Sequence, residues 1–502
     1  MHKNILFLQL EIIRNCPPHM GMCLFVDDLR KSGVNCDTFM INANYIDEII
    51  PLIKKGNYNL ICLDSVFTVD IINLLDKEFP HIPILAGGIN AIALLMHTNI
   101  RYAVFGPGRT AIRVFIQEFF GSHNFYNVPN LFFKNGAQIL YSGKTLHWDL
   151  KKELFPYVPF LDWQYIGPDR DPKANYNDVS IAAGTGCPYA NSTVSSHHFT
   201  INAIFHELGY EASDAAQQRL EEIFNRKRHG CSFCIFQYQE FTSYPAEETI
   251  ELLLQQALHL SKKYGVTSFH IQTENPLPFL YGFIAALLKN KITLQKISIR
   301  TRPDLLLLHK DKLKSCLELA RDNDFHLSIE EIGFESFCDD DLKTFSKKTA
   351  SAINRDVLKL LKDVKKDFGG HAGVDVGHGI ILFHPWTTLK SLTGNLRVIS
   401  ENTDIFPQLF LGTLVLYSEF LPIYPKINRE GLIRKAEHGY GLTFKIKDDL
   451  ANKAYELYEI LLMHFGGNIS GDAYLKSLEL IGEHSIDHIL KEIFHLVPVQ
   501  EN

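Results

Sequence analysis

Short apolar runs alternate with amphipathic stretches from the first residues onward. Residues 5–8, 35–40, 60–63, 82–86 and 102–105 are apolar runs of strand length. Between them a 3.6-residue apolar period appears at 20–31, 45–54, 69–79 and 110–120. Gly33, Gly56, Pro80 and Gly121 follow these stretches and supply their stops. Glycine ends a helix by taking the left-handed conformation, and proline by steric clash and a missing N–H. Strict β/α alternation predicts a parallel sheet with helices on both faces. Five strands predict the flavodoxin-like (Rossmann-type) order, in which ligands sit beyond the carboxyl ends of the strands. Those ends carry Asp64-Ser65, Gly87-Gly88 and Gly106-Pro107-Gly108, so Ser65, Gly87, Gly88 and Gly106 are candidates for a ligand-lining role.

The period fades at 123–176, which is rich in aromatic residues, Pro and Asn but poor in Gly and Ser. That composition predicts an ordered connector rather than a flexible linker. A second β/α series follows, with strand candidates at 179–182, 268–272, 297–300, 326–329, 379–383 and 409–416. Its clearest helix, 246–263, has Pro245 at its start, Glu247 and Glu248 at its positive end, and Gly265 beyond it. Six such units predict a partial (β/α)6 TIM-like barrel, whose active site gathers at the carboxyl ends of the strands. The pattern therefore divides the chain into an α/β unit at 1–122, the connector, a barrel at 177–420 and a helical region at 421–502. Within the barrel, 191–230 reads as a helical insertion.

Composition narrows the function classes. With 46% hydrophobic and 21% charged residues, the 502-residue chain is ordinary globular protein. A net charge of −7 speaks against a general nucleic-acid binder. The amino-terminal apolar run is too short for a signal peptide, and no stretch approaches a membrane span, so a cytoplasmic protein with reduced thiols is expected. Nine cysteines are too few for a disulfide scaffold in a chain of this size and cannot all pair with one another. Six of them are scattered singly and read as small buried hydrophobes.

Cys231-Ser232-Phe233-Cys234 differs, because thiols three positions apart can face one metal or cluster. Alone, that spacing also suits a zinc half-site or a redox dithiol. Gly186-Cys187-Pro188-Tyr189-Ala190, directly after the first barrel strand, adds a third thiol. With 191–230 set aside, the remainder reads Cys-Pro-Tyr-Ala-Cys-Ser-Phe-Cys, a CxxxCxxC motif.

At this point the chain resembles the radical S-adenosylmethionine family, with its cysteine motif split by an insertion. The resemblance implies that Cys187, Cys231 and Cys234 hold a [4Fe–4S] cluster whose fourth iron stays open to S-adenosylmethionine. An electron from the cluster would then cleave the sulfonium to a 5′-deoxyadenosyl radical. It further implies that Phe233 packs near the adenine and that Glu274, in Gln272-Thr273-Glu274-Asn275, receives the methionine amino group. Ser298-Ile299-Arg300-Thr301-Arg302-Pro303-Asp304 resembles the family's TRPD stretch, so Arg300 or Arg302 would fork onto the methionine carboxylate. Gly333-Phe334-Glu335-Ser336 resembles its GxES, which makes Glu335 and Ser336 ribose contacts. The flavodoxin-like unit ahead of the barrel resembles the cobalamin-dependent subfamily, and Gly87-Gly88 its GG turn. In those relatives Arg109 would be an acidic residue. The implied activity is cobalamin-dependent methylation of an unactivated carbon in a small-molecule or peptide substrate, with flavodoxin or ferredoxin as electron donor. The alternative is a cobalamin-independent radical reaction, such as epimerisation, rearrangement or oxidative cyclisation, with a degenerate first unit.

Overall fold

The computed structural model describes residues 3–11, 20–42, 45–64, 67–147, 149, 163–166, 179–184, 187, 189, 208–224, 230–234, 243–374, 377–406, 412–416, 419, 421–435, 442–465 and 471–493. The chain is mixed α/β, built on two largely parallel sheets.

In the first sheet, β1 (Asn4–Glu11), β2 (Asn35–Asn42), β3 (Leu60–Leu63), β4 (Ile84–Gly87) and β5 (Tyr102–Val104) are parallel, in the order β5-β4-β3-β1-β2. This is the order that the alternating pattern predicts. Successive residues of a strand point to opposite faces, and β1 shows it. Leu6 and Leu8 enter one apolar core, while Ile5 and Phe7 enter another, and all four are fully buried. A parallel sheet must be covered on both faces in this way.

The sheet is larger than the five strands expected. β6 (Leu131–Asn135) and β7 (Gln138–Tyr141) form an antiparallel hairpin against β5, and β8 (Gln164–Ile166) runs parallel to β2 at the other edge. All three come from the range 123–176, and Phe132 and Tyr141 pack at a tilt, 4.8 Å apart, across the hairpin.

β9 (Val179–Ile181) opens the second sheet, but β10 (Glu211–Ala212), from the insertion, returns to the first and pairs with β7. The helix Asp214–Phe224 follows, and Phe224 packs on Phe105 at 6.1 Å. β11 (Ser268–Ile271), β12 (Lys296–Thr301), β13 (His326–Glu335), β14 (Ala372–Gly373), β15 (Gly379–Phe383) and β16 (Gly412–Thr413) complete the second sheet. Its main path is β9-β11-β12-β13-β15-β16, all parallel and in chain order, with β14 paired to the start of β13. Edge strand β9 is held by a buried amide: Gln256 donates to the Ala182 carbonyl at 2.7 Å and accepts from its N–H at 3.1 Å.

β13 runs well past the expected 326–329, because a bulge breaks its register with β12. Ile329 faces Ile299, yet Glu331, not Glu330, faces Arg300. Beyond the sheet lie the hairpin β17 (Ile433–Lys435) and β18 (Leu442–Phe444) and three helices, Asp449–Phe465, Gly471–Leu480 and Ile486–Ile493. The first of these sets Tyr455 and Tyr458 against Phe383 at 5.0 and 5.5 Å. No helix among the described residues is long and apolar enough to cross a membrane.

Candidate functional site

The carboxyl end of the second sheet gathers the charged groups. Glu274 follows β11, Arg300 lies on β12, and Glu331 and Glu335 lie on β13. Arg300 Nη2 meets Glu274 Oε1 at 3.0 Å, and Lys347 Nζ meets Glu335 Oε1 at 2.8 Å. The Lys347–Glu335 pair is buried. Burial would lower the Lys347 pKa, but Glu335 and Cys231 outweigh it and hold the ammonium charged above its usual range. Gly333 makes room for the pair: a Cβ there would stand 2.7 Å from Glu335 Oε1 and 2.8 Å from Lys347 Nζ. Glu335 itself has a φ of +61°, a strained value for a side-chain-bearing residue.

Two acidic neighbours are the groups that motif matching missed. The bulge in β13 turns both Glu330 and Glu331 toward the face of the sheet that carries Lys296, Ser298 and Arg300. Glu330 is the anchor. It takes hydrogen bonds from Lys296 at 2.5 Å and Ser298 at 2.7 Å, and meets His270 Nδ1 at 3.2 Å. Burial alone would raise its pKa, but these bonds and the Lys296 charge bring it down to about 2. Glu331 stays accessible to solvent. Its pKa is raised by surrounding protein and by Glu274 and Glu335, against the pull of Arg300 and Lys347. The signal for both was two consecutive carboxylates in an otherwise apolar strand.

The cysteine loops lie beside this cluster. Cys187 senses the charges of Glu274, Cys231 and Arg302, so the two halves of the split motif converge. Burial is the largest cause of its raised pKa, and a Tyr189 backbone hydrogen bond opposes it. A ligating thiol must lose its proton, so a bound metal would have to overcome that shift. Cys234 closes a turn on Cys231, its N–H donating to the Cys231 carbonyl at 3.1 Å. Ser232 fastens this turn to the segment after β13: its N–H donates to Phe345 O at 2.8 Å and its hydroxyl to Thr344 O at 3.0 Å. Phe233 packs edge-on to Phe345 at 5.4 Å.

Among the described residues, no three His, Cys, Asp or Glu side chains stand close enough to hold a single metal ion. A cubane cluster is a different test, because each thiolate binds its own iron and the ligands stand farther apart. Three thiols on two converging loops fit that donor set. Cys23, Cys36, Cys62 and Cys316 are buried, and burial pushes the Cys36 and Cys316 thiols up to about 12, as expected of inert core groups.

Arg302 is buried against the cysteine loops. Nε meets Asp304 at 3.0 Å, Nη2 donates to Lys347 O at 2.7 Å, Nη1 lies 3.8 Å from Cys231 Sγ, and the guanidinium carbon stands 3.7 Å over the Tyr189 ring. Tyr189 Oη in turn donates to Asp304 at 2.8 Å. Ser336 is fully buried and used within the protein: its hydroxyl donates to Asp341 at 2.7 Å and accepts from Cys338 N–H at 3.0 Å. Asp341 also meets His384 Nε2 at 3.2 Å. Trp386 N–H approaches His384 Nδ1 at 3.3 Å, which leaves the ring proton on Nε2.

The first sheet ends differently. Gly88 and Gly106 have φ of +99° and +118°, values that side chains rarely adopt. A Cβ on Gly106 would also stand 3.1 Å from Asn130 Nδ2. Gly87 closes β4, and Asn90, three residues on, is buried with no hydrogen-bond partner for Oδ1. Ser65 lies outside the described residues. Arg109 turns away from the sheet end: Nε and Nη2 grip Asp28 of the helix Met20–Lys31 at 2.6 and 2.8 Å. The helix Ala91–His97, which follows β4, meets the segment after β16 where His97 Nε2 contacts the buried Glu419 at 2.8 Å.

No protein-family model matches the sequence, and no curated protein matches it. Solved structures do. The cobalamin-dependent S-adenosylmethionine radical enzyme OxsB, with aqua-cobalamin and S-adenosylmethionine bound, superposes with a TM-score of 0.58 at 13% identity, covering 98% of this chain and 72% of that one. Its apo form gives 0.58 at 12% identity, with 98% and 75% coverage. The radical S-adenosylmethionine methyltransferase TsrM from Kitasatospora setae, with cobalamin and a [4Fe-4S] cluster bound, gives 0.57 at 10% identity, with 99% and 100% coverage. Over nearly its whole length, this chain has the fold of cobalamin-dependent radical S-adenosylmethionine enzymes.

Proposed function

We propose that the protein is a cobalamin-dependent radical S-adenosylmethionine enzyme that methylates an unactivated carbon. The observation that carries this reading is the convergence of the Cys187 and Cys231 loops on Arg302, which lies 3.7 Å over the Tyr189 ring and 3.8 Å from Cys231 Sγ, although the whole 191–230 segment separates the loops in sequence. Cys187, Cys231 and Cys234 would hold the [4Fe–4S] cluster, which supplies the electron for reductive cleavage of S-adenosylmethionine. Glu274 and Arg300 carry opposite charges in contact, as a zwitterionic amino acid requires, and can exchange their mutual pair for its ammonium and carboxylate. Glu335, fixed by Lys347, offers carboxylate oxygens to ribose hydroxyls, and Phe233 offers an apolar face to the adenine.

Gly87, Gly88 and Gly106, with Ser65, would line the cobalamin site, where the corrin supplies the methyl group. The strained glycines let backbone approach a broad ligand, and the unpartnered Asn90 Oδ1 suits a corrin amide donor. The seven-stranded parallel sheet is read as the partial barrel, and the nine-stranded one as the cobalamin-binding unit. A small-molecule or peptide substrate and a flavodoxin or ferredoxin donor complete the proposal.

The test is anaerobic reconstitution with iron and sulfide, then incubation with S-adenosylmethionine, a reductant and hydroxocobalamin. Corrin binding together with 5′-deoxyadenosine formation is the expected result. Formation of 5′-deoxyadenosine by protein that binds no corrin moves the assignment to the cobalamin-independent alternative. Protein that takes up no iron overturns both.

A further inference from the structure

We infer that Arg302 is a positioning residue for the cluster ligands rather than a contact for the methionine carboxylate, an inference that rests on the proposed cluster. Each of its three guanidinium nitrogens already faces a protein acceptor: Asp304 at 3.0 Å, Lys347 O at 2.7 Å and Cys231 Sγ at 3.8 Å. Its face lies 3.7 Å from the Tyr189 ring, and the whole residue is 4% exposed. A carboxylate arriving from solvent could replace these partners only by dismantling buried hydrogen bonds, which leaves buried polar groups unpaired. Arg300 instead meets Glu274 at 3.0 Å, with 23% of its side chain exposed. The carboxylate therefore falls to Arg300.

The partners of Arg302 say what it does. Tyr189 belongs to the loop of Cys187, two residues away, and is locked by its own bond to Asp304 at 2.8 Å. Cys231 belongs to the loop on the far side of the insertion. Arg302 touches both loops, so the residue just after β12 rejoins the motif that the insertion divides. Only a planar, multidentate cation can stack on a ring and make three divergent contacts at once.

The guanidinium also sets a fixed positive charge beside the Cys231 sulfur. Reducing a cluster adds negative charge, so a nearby buried cation favours the reduced form, as does hydrogen bonding to a ligand sulfur. Arg302 thus serves geometry and potential together.

Wild type, Arg302→Gln, Arg302→Lys, Tyr189→Phe and Arg300→Gln should be reconstituted anaerobically as full chains. Iron and sulfide content, the midpoint potential from redox-poised electron paramagnetic resonance, and the dissociation constant for S-adenosylmethionine are then compared. Arg302→Gln should hold less cluster, and what it holds should have a more negative midpoint. Arg302→Lys should keep a midpoint near wild type with reduced iron, and Tyr189→Phe should lose less iron than either. S-adenosylmethionine binding per cluster should stay within about twofold for the Arg302 variants, and weaken about tenfold for Arg300→Gln, the effect of losing one charge-assisted pair. Arg302→Gln with wild-type iron and midpoint but about tenfold weaker S-adenosylmethionine binding would overturn the inference and leave the proposed function standing. Loss of iron with an unshifted midpoint in the remaining cluster would overturn the electrostatic half. Where Arg302→Gln fails to fold by circular dichroism, Arg302→Lys and Tyr189→Phe carry the test, and wild-type iron content in both overturns it. Absence of iron from the wild type falsifies the proposed function itself.

Discussion

The carboxyl ends of the two sheets are built from opposite materials. The second sheet uses side chains. Glu274 is paired with Arg300, Glu335 with Lys347, and Glu330 with Lys296, Ser298 and His270. The first sheet uses backbone. Gly88 and Gly106 adopt conformations closed to other residues, and the nearest strong cation, Arg109, is spent on Asp28. Charges paired in advance suit a small ligand of mixed sign, whose own charges replace the partners one for one. A glycine-lined edge suits a broad ligand recognised by shape and amide hydrogen bonds. The contrast predicts that side-chain truncation injures the second end, while the first is injured chiefly by adding atoms.

The sharpest way to break that contrast is at the cysteines. Cys231→Ala and Cys187→Ala should each abolish the brown chromophore and iron uptake on reconstitution, whereas Cys316→Ala, in the core, should leave both intact and cost about 1 kcal/mol of stability. Iron retained by Cys187→Ala would remove that residue from the site.

Glu330→Gln comes next. It leaves the half-buried Lys296 underpaired and should destabilise the fold by about 1–3 kcal/mol near neutral pH. The folded carboxyl titrates near 2 against an ordinary value of 4.5, so its contribution is full above about 5 and fades as pH falls toward 2. Denaturant unfolding of wild type and variant should therefore converge over that interval. A constant difference from pH 7 to pH 3 would mean that packing, not charge, accounts for the loss.

Gly106→Ala tests the first sheet. A positive φ and a contact at 3.1 Å predict a loss of about 1–3 kcal/mol and weaker corrin binding in a hydroxocobalamin titration. The smallest effect is expected of Arg109→Ala. Its partly exposed pair with Asp28 should be worth about 1 kcal/mol, and corrin affinity should not change. Loss of corrin binding by Arg109→Ala would put side-chain charge back into the first site.

The sequence made the parallel cores legible because burial on both faces of β1, β3 and β4 leaves unbroken apolar runs. It hid β6, β7 and β8, whose aromatic and proline-rich surroundings carry no period of two, and β10, which has only two residues. At the candidate site, the cysteines stood out by their spacing, and Glu274 by the family resemblance of its segment. Tyr189, Asp304 and Lys347 did not, since stacking and carbonyl contacts join residues far apart in sequence. Glu330 and Glu331 were visible as an anomaly, two carboxylates where one face should be apolar, but only the broken register between Ile299 and Arg300 explains it.

The placement of β10 bears on how the chain can be made and taken apart. Glu211–Ala212 completes the outer edge of the first sheet, yet it is synthesised after β9, the opening strand of the second. Domains commonly fold in the order they leave the ribosome. Here the edge of β7 must wait, unpaired, until the other sheet has begun, and an exposed edge strand is an invitation to aggregate. No single cut in the chain separates the two sheets, so an uninterrupted fragment with all the strands of one also carries a strand of the other.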